Sequence, residues 1–89
     1  MSKVSSFTIA GIDCWFNSQD HRPPHFHARR KGQWHVRVFF LMPKSGMIEP
    51  VTRHLARMAK ADRNALREMG AAHREELLGE WEEKVHHNE

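Results

Sequence analysis

The chain has 89 residues, of which 39% are hydrophobic and 28% are charged, and its formal net charge is +3. This length allows one domain, and the composition is typical of a globular protein and excludes a disordered one. We expect no membrane span, because no run of about 18 apolar residues occurs. Cys14 is the only cysteine and no secretory signal follows Met1, so we expect a reduced, cytoplasmic protein.

The charge is distributed unevenly along the chain. Residues 1–61 contain ten Lys or Arg residues against three acidic ones, a balance of +7, whereas residues 62–89 contain four against eight, a balance of −4. Such asymmetry indicates either a basic face for an anionic partner or two halves that neutralise each other within the fold. The sequence leaves both alternatives open.

The first part of the chain is predicted to form a short hairpin. Residues 1–6 are small and polar, so we expect a disordered N-terminus followed by a single domain over residues 7–86. An apolar alternation begins at Phe7, and Ala10-Gly11 is the predicted turn because glycine accepts a positive φ. The apolar positions of the second strand are Ile12, Cys14 and Phe16.

The densest motif is Asp20-His21-Arg22-Pro23-Pro24-His25-Phe26-His27. Its two prolines are stiff and extended, so they direct His25 into a strand. A second strand is predicted from Trp34 to Leu41, which is rich in β-branched and aromatic residues. Between the two strands, Lys31-Gly32-Gln33 is the predicted turn.

A three-residue turn fixes the register of this second hairpin. It pairs Phe26 with Val38 and therefore keeps the apolar residues together, whereas a one-residue slip would bury charges. The opposite face is then predicted to be an outer, basic one. Its residues are His25, His27, Arg29, His35 and Arg37.

The last part of the chain is predicted to be helical. Residues 47–51 are either a short edge strand, where Pro50 is tolerated, or the start of a helical turn that runs to Arg57. Asp62 is a candidate N-cap for one long helix to residue 85. Its apolar stripe is Leu66, Met69, His73, Leu77, Trp81 and Val85. The predicted fold is therefore α+β, a small antiparallel sheet of about four strands with a long C-terminal helix packed on one face.

The segment Asp20-His21-Arg22-Pro23-Pro24-His25-Phe26-His27-Ala28 resembles the signature of a family of small bacterial proteins, known as domain of unknown function four-one-six-zero. The resemblance continues in Gly11-Ile12 and in Ala72-His73-Arg74-Glu75-Glu76-Leu77-Leu78-Gly79-Glu80-Trp81, so it covers most of residues 7–85. Membership implies genes that often neighbour those of the family of unknown function two-four-four-two. It therefore implies a toxin–antitoxin-like or regulatory pair, but no established catalytic residue.

The histidines of the motif predict a metal site. His25 and His27 lie at i and i+2 on a strand, so their imidazoles point to the same side. His21, across the Pro-Pro corner, supplies the third predicted ligand, and His35 or Asp20 could supply another. Three protein ligands plus water are the pattern of a catalytic zinc site, so the candidate cofactor is a divalent metal such as zinc.

The same face also predicts an anion-binding site. Its candidate binding residues for phosphates are Arg29, Arg30, Lys31 and Arg37, with Trp34 or Phe39 available to stack on bases, so nucleic acid is a candidate partner. Acid–base catalysis is a variant of this interpretation, because histidine titrates near neutrality. The candidate catalytic residues are His25, His27 and His35.

A third interpretation makes the motif a feature of the fold alone, in which Asp20 caps the loop and His21 fixes the Pro-Pro corner. The leading functional hypothesis is a binding component of a regulatory, toxin–antitoxin-like pair. It would contact a small protein partner, or a second copy of itself, through the acidic helix or a sheet edge. The alternative is a small metal-dependent or histidine-based nuclease or hydrolase that uses His21, His25 and His27.

Overall fold

The structure is a computed structural model that describes residues 2–51 and 57–85. Within these ranges the chain forms five strands, one 3-10 turn at Lys44–Gly46 and two α-helices. The elements are β1 (Ser2–Lys3), β2 (Asp13–Phe16), β3 (Phe26–Arg30), β4 (Trp34–Val38), β5 (Ile48–Pro50), α1 (Lys60–Ala72) and α2 (Arg74–Lys84). The strands form one antiparallel sheet in the order β1-β2-β3-β4-β5, which confirms the α+β prediction.

The register of β3 against β4 is the predicted one. Phe26 lies opposite Val38, and Arg30 lies opposite Trp34, so three residues form the turn. Gly32 in that turn has a φ of +76°, a left-handed conformation that glycine adopts without a steric cost. The fifth strand, β5, takes the edge-strand alternative predicted for residues 47–51. The other alternative, a helical turn from Pro50 to Arg57, falls largely outside the described residues.

The core lies between one face of the sheet and the two helices. Its largest fully buried side chains are Phe16, Phe26, Val36, Val38, Phe40, Met47, Leu66, Leu77 and Trp81. Gly70 of α1 packs directly on this layer, because a Cβ built there would lie 2.9 Å from Met47 Sδ. Cys14 is buried in the same layer, and burial, with a smaller effect of Asp13, raises the pKa of its thiol to about 12. Because the thiolate is the nucleophile, a thiol with this pKa is inert, and Cys14 acts as a small hydrophobic residue.

The C-terminal region forms two helices and not the single helix predicted over residues 62–85. The chain leaves helical geometry at His73, which has φ −112° and ψ 25°. Two backbone carbonyls after β4 accept bonds from the first residue of α2, since Arg74 Nε lies 2.8 Å from Phe40 O and Arg74 Nη2 lies 3.0 Å from Met42 O. These long-range bonds set the start of α2, and the periodicity of the sequence does not contain them. No helix in the described part of the chain is long and apolar enough to cross a membrane.

The sequence predicts a disordered segment over residues 1–6, of which the structure describes Ser2 onwards as part of the sheet edge. Ser2–Lys3 pairs with β2, and the next residue, Val4, is 6% exposed. Glu80 and Lys84 of α2 hold this segment, and we call their bonds to residues 3–6 the N-terminal clasp. Glu80 accepts the backbone N–H groups of Ser5 and Ser6 at 2.6 and 3.0 Å, and Lys84 Nζ donates to Lys3 O at 2.9 Å. The composition of residues 1–6 does not indicate that residues about 75 positions later bind this segment.

Candidate metal centre

The histidine face of the sheet is covered, although the sequence predicted an exposed outer face. His27 lies on the face opposite the core, as the register requires, and His25, just before β3, contacts Phe39 and Trp81. His25 and His27 are nevertheless only 5% and 4% exposed. The indole of Trp15 stacks on His27 with ring centroids 5.3 Å apart, and the loop that starts at Asn17 bonds to the same ring. The alternation of the strand correctly gives the side of the sheet, but it carries no information about what covers that side.

His25 is fixed in one orientation by the Pro-Pro corner. Its Nδ1–H donates to the backbone carbonyl of Pro23 at 2.9 Å. In the neutral ring this bond leaves Nε2 as a bare acceptor. That atom is buried and has no hydrogen-bond partner among the described residues, and it lies 3.5 Å from Asp20 Oδ2. The corner therefore aims a free lone pair at the Asp20 carboxylate.

His27 meets two groups that make opposite demands on one nitrogen. The Trp15 indole N–H donates to Asn17 Oδ1 at 3.0 Å, so the amide nitrogen of Asn17 faces His27 Nε2 at 3.1 Å. Asp20 Oδ2 lies 3.0 Å from the same Nε2. A neutral ring can accept a hydrogen bond there from Asn17 or donate one to Asp20, but it cannot do both. A cation between Nε2 and the carboxylate would bind both of these atoms, and it would then use the lone pair that could otherwise accept from Asn17.

The second nitrogen of His27 is held by His35. The Nδ1 atom of His27 lies 3.1 Å from His35 Nε2, and Trp15 packs against both rings. Burial lowers the pKa of both histidines, and the positive charge of Arg37 adds to the effect, whereas the bond to Asp20 partly raises the pKa of His27. Both rings are therefore biased towards the neutral form, which is the form that binds metals.

The donor atoms of Asp20, His25 and His27 converge, and all lie within 4.8 Å of one another. Two of the separations match a zinc site closely. Ligands about 2.0–2.1 Å from a tetrahedral Zn²⁺ are about 3.3 Å apart, and Asp20 Oδ2 lies 3.0 Å from His27 Nε2 and 3.5 Å from His25 Nε2. We call these three residues the Asp20–His25–His27 cluster.

The membership of this cluster differs from the predicted metal set of His21, His25 and His27. His21 is exposed and stands outside the converging donors, and its neighbour Asp20 takes the third place. A backbone turn from Asn17 to Asp20, with the Asp20 N–H bonded to Asn17 O at 3.1 Å, brings the carboxylate back over the strand. His35, a candidate ligand and catalytic residue, instead bonds to His27. The sequence named Asp20 as an additional ligand, but it gave no reason to prefer it to His21.

The four predicted phosphate-binding residues do not form one face. Arg30 lies on the side of the helices, where it bonds Asp62 at 2.8 and 2.9 Å, so the two charges satisfy each other. Asp62 therefore pairs with Arg30 and is not the N-cap that the sequence predicted. It lies in the first turn of α1, and Ala59 occupies the N-cap position. Because the side chain of residue 30 shares the face of Ala28, the register itself argues against Arg30 as a ligand of the outer face.

The other three basic residues remain on or near the histidine side. Arg29 lies 3.6 Å from Asp13, and Lys31 is exposed in the turn. Arg37 Nη1 donates to Glu49 Oε1 at 2.8 Å across the β4–β5 pair. Of the four predicted basic residues, Arg37 is the one whose positive charge lowers the pKa of His27.

A cleft of about 280 Å³ borders the Asp20–His25–His27 cluster. Asp20 and His25 line it, so a metal held by the cluster would have a coordination position on the cleft side. The remaining lining residues are His21, Arg22, Pro23, Arg37, Phe39 and Glu49. Sequence reasoning missed the roles of Trp15, Asn17 and Glu49, which are polar or aromatic residues on other strands and loops that only the tertiary fold brings here. We call this space the metal-site cleft.

Comparison with known proteins identifies the family but no characterised relative. The model of the family described as domain of unknown function, DUF4160, matches residues 11–82, which include the whole Asp20–His25–His27 cluster. Neither the comparison with curated proteins nor that with solved structures found a match. The matched segment spans most of the chain and agrees with the resemblance of its histidine motif, so the protein belongs to the DUF4160 family.

Proposed function

We propose that the protein binds a divalent transition metal, with zinc as the best fit, through Asp20, His25 and His27. The observation that carries the proposal is the buried Nε2 of His25, which has no hydrogen-bond partner in the described residues and lies 3.5 Å from a carboxylate oxygen. An unsatisfied buried acceptor costs about 1–3 kcal/mol. A metal ion would satisfy this lone pair and the facing carboxylate at the same time.

The surroundings of the cluster support the proposal. Metal-binding histidines usually donate their other ring N–H to a carbonyl or to another acceptor, which fixes the tautomer. His25 already does so with Pro23 O. His27 can do so with His35 Nε2, because a metal at Nε2 leaves the proton of His27 on Nδ1. Both ligands are thus preorganised by bonds that exist without the metal.

The donor set also supports an open, reactive site. Three protein ligands leave a fourth tetrahedral position, and in this geometry zinc lowers the pKa of a bound water to about 7. The metal-site cleft borders the same donors, so such a water would meet small molecules there. The chemistry that fits is hydrolysis, in which the water oxygen forms the new bond and the leaving group departs with a proton. This is the metal-dependent alternative of the sequence analysis, with Asp20 in place of His21.

The test is metal analysis of purified protein that carries no affinity tag and lacks His86-His87. We expect one zinc per chain by mass spectrometry, lost in the His25→Ala/His27→Ala double variant with circular dichroism unchanged. The matched control is His21→Ala, which removes an exposed histidine of the same motif and should keep the metal. Metal-free wild-type protein that also fails to bind Zn²⁺ in calorimetry would refute the proposal.

A second candidate function is the protein-binding role in a regulatory pair. The observation that favours it is the acidic surface of α2, where exposed residues include Glu75, Glu76, Glu82 and Glu83. Such a surface suits a basic protein partner. The test is calorimetry with a protein of family two-four-four-two, where Glu82→Lys/Glu83→Lys should weaken binding and His25→Ala should not. Equal binding by all variants would exclude the acidic surface as the interface.

A further inference from the structure

An ion pair borders the metal-site cleft. Arg37 of β4 and Glu49 of β5 are register partners, and Arg37 Nη1 donates to Glu49 Oε1 at 2.8 Å. Both line the cleft, with side chains 37% and 54% exposed. A guanidinium has five N–H donors in a planar fork, and this bond uses one of them. Arg37 therefore keeps donors for an anion that enters the cleft.

The charges around the cleft favour a dianion once a metal is bound. Among the lining residues, the carboxylates of Asp20 and Glu49 are balanced by the guanidinium groups of Arg22 and Arg37. A divalent metal on the Asp20–His25–His27 cluster then adds two positive charges. A phosphoryl group carries about 1.5 to 2 negative charges at pH 7 and three strong acceptor oxygens. It can therefore place one oxygen on the metal while another accepts from Arg37, whose guanidinium suits phosphate recognition.

The apolar wall of the cleft suits an organic group. Phe39 is partly buried and lines the cleft, and its ring centroid lies 5.1 Å from that of His25. A flat ring bound beside the phosphoryl group can stack on Phe39, since aromatic rings prefer offset or edge-on contacts. The volume of about 280 Å³ lies at the small end of ligand sites. The cleft thus accommodates one small molecule.

We propose that the metal-site cleft binds the phosphoryl group of a small phosphate monoester, with Arg37 as its protein anchor and Phe39 against the organic part. This inference rests on the proposed metal site, because without the metal Asp20 and Glu49 cancel the charge of the two arginines. Glu49 then acts as a competitor for Arg37. Its removal should strengthen anion binding, whereas the removal of Arg37 should weaken it.

The experiment uses protein loaded with Co²⁺, whose visible absorption reports on its ligands, and phenylphosphonate as a probe that cannot be hydrolysed. The titration with Co²⁺ tests the metal site, and the titration with phenylphosphonate then tests the cleft. We expect phenylphosphonate to change the spectrum, with an affinity about tenfold or more weaker in Arg37→Gln. We expect an affinity about threefold tighter in Glu49→Gln. Lys44→Gln, which removes an exposed cation that pairs with Glu68 and does not line the cleft, is the control and should behave as wild type.

Each result separates the two proposals. A cobalt spectrum without protein ligands refutes the metal site, and the phosphoryl site is refuted with it. A normal cobalt spectrum that phenylphosphonate leaves unchanged, or that responds equally in wild type and Arg37→Gln, refutes the phosphoryl site alone. Benzoate, which offers a carboxylate on the same ring, is the last comparison. If it binds as tightly as phenylphosphonate, the cleft does not select phosphoryl groups and the inference is wrong.

Discussion

Replacing Asp20 by Asn separates the two roles that the structure gives this carboxylate. In the metal-free protein Asp20 Oδ2 accepts the Asn17 N–H at 3.2 Å and lies 3.0 Å from His27 Nε2, with its side chain 15% exposed. The amide keeps one acceptor of similar shape but loses the charge. A hydrogen bond to a charged group contributes about 1.5–3 kcal/mol and a neutral one about 1 kcal/mol. We therefore expect a loss of about 0.5–2 kcal/mol.

Thermal unfolding measures this loss. For a domain of this size about 1 kcal/mol shifts Tm by roughly 4–8 °C, so Asp20→Asn should lower Tm by roughly 2–16 °C. Asp13→Asn is the matched control, because Asp13 forms an exposed pair with Arg29 at 3.6 Å and should change the stability by less than about 0.5 kcal/mol. If Asp20→Asn is as stable as Asp13→Asn, the bonds around Asp20 do not hold the loop.

The same variant tests the metal site through a second readout. Zinc at about 100 times its dissociation constant should stabilise the wild-type protein by about 2.7 kcal/mol, because it binds the folded state. Asp20→Asn should lose most of this increase in Tm, since a neutral amide is a poor zinc ligand. A variant with lowered intrinsic stability but an unchanged response to zinc would show that Asp20 caps the loop and does not bind the metal.

Three further predictions concern residues around the site and the core. His35→Ala should weaken zinc affinity about 10–100-fold in calorimetry, because His27 loses its Nδ1 partner, and an unchanged affinity would contradict this role. Gly70→Ala should destabilise the fold by about 1–3 kcal/mol in urea unfolding, because its Cβ would meet Met47, whereas Gly79→Ala, with open space around it, should stabilise by up to about 1 kcal/mol. Burial alone would raise the pKa of Glu80, but hydrogen bonds from Lys84, and from Ser6 and Ser5 of the N-terminal segment, lower it overall. The contribution of Glu80 to stability is therefore present above the usual carboxyl pKa and is lost as the pH falls through the lowered pKa. Unfolding measured against pH should therefore show a steeper acid loss for wild type than for Glu80→Gln, and parallel curves would contradict the clasp.

The sheet could be predicted from the sequence because the turn and the strand alternation that determine it involve residues close together in the chain. The turn at Gly32 and the alternation on either side of it determine the register, and a slip of one residue would exchange the two faces. The family could also be predicted, because the resemblance rested on a contiguous motif around His25, and the family model matches a segment that includes it. Two members of the cluster, His25 and His27, could be predicted, but the third could not. The adjacent residues Asp20 and His21 both have side chains that bind metals, so the sequence does not distinguish them. Only the turn that starts at Asn17 decides between them.

The covering of the histidine face and the division of the helix could not be predicted for the same physical reason. A strand pattern distinguishes two faces, but Trp15 and the loop over His27 decide which face is open to solvent. Likewise, an apolar stripe indicates a helix, but the bonds from Arg74 to the segment after β4 decide where a second helix begins. Both outcomes depend on contacts between residues that are distant in sequence.

The N-terminal clasp has a consequence for how the protein folds during synthesis. All five strands are made before either helix, so the apolar face of the sheet, with Phe26 and Val38, has no cover until Leu66 and Leu77 have left the ribosome. The bond between Ser5 and Glu80 joins residues 75 positions apart, so it cannot form until α2 has been made. Contacts of such separation slow folding, and an uncovered sheet face favours aggregation. Nascent chains that stall before α2 should therefore depend on chaperones far more than the finished protein.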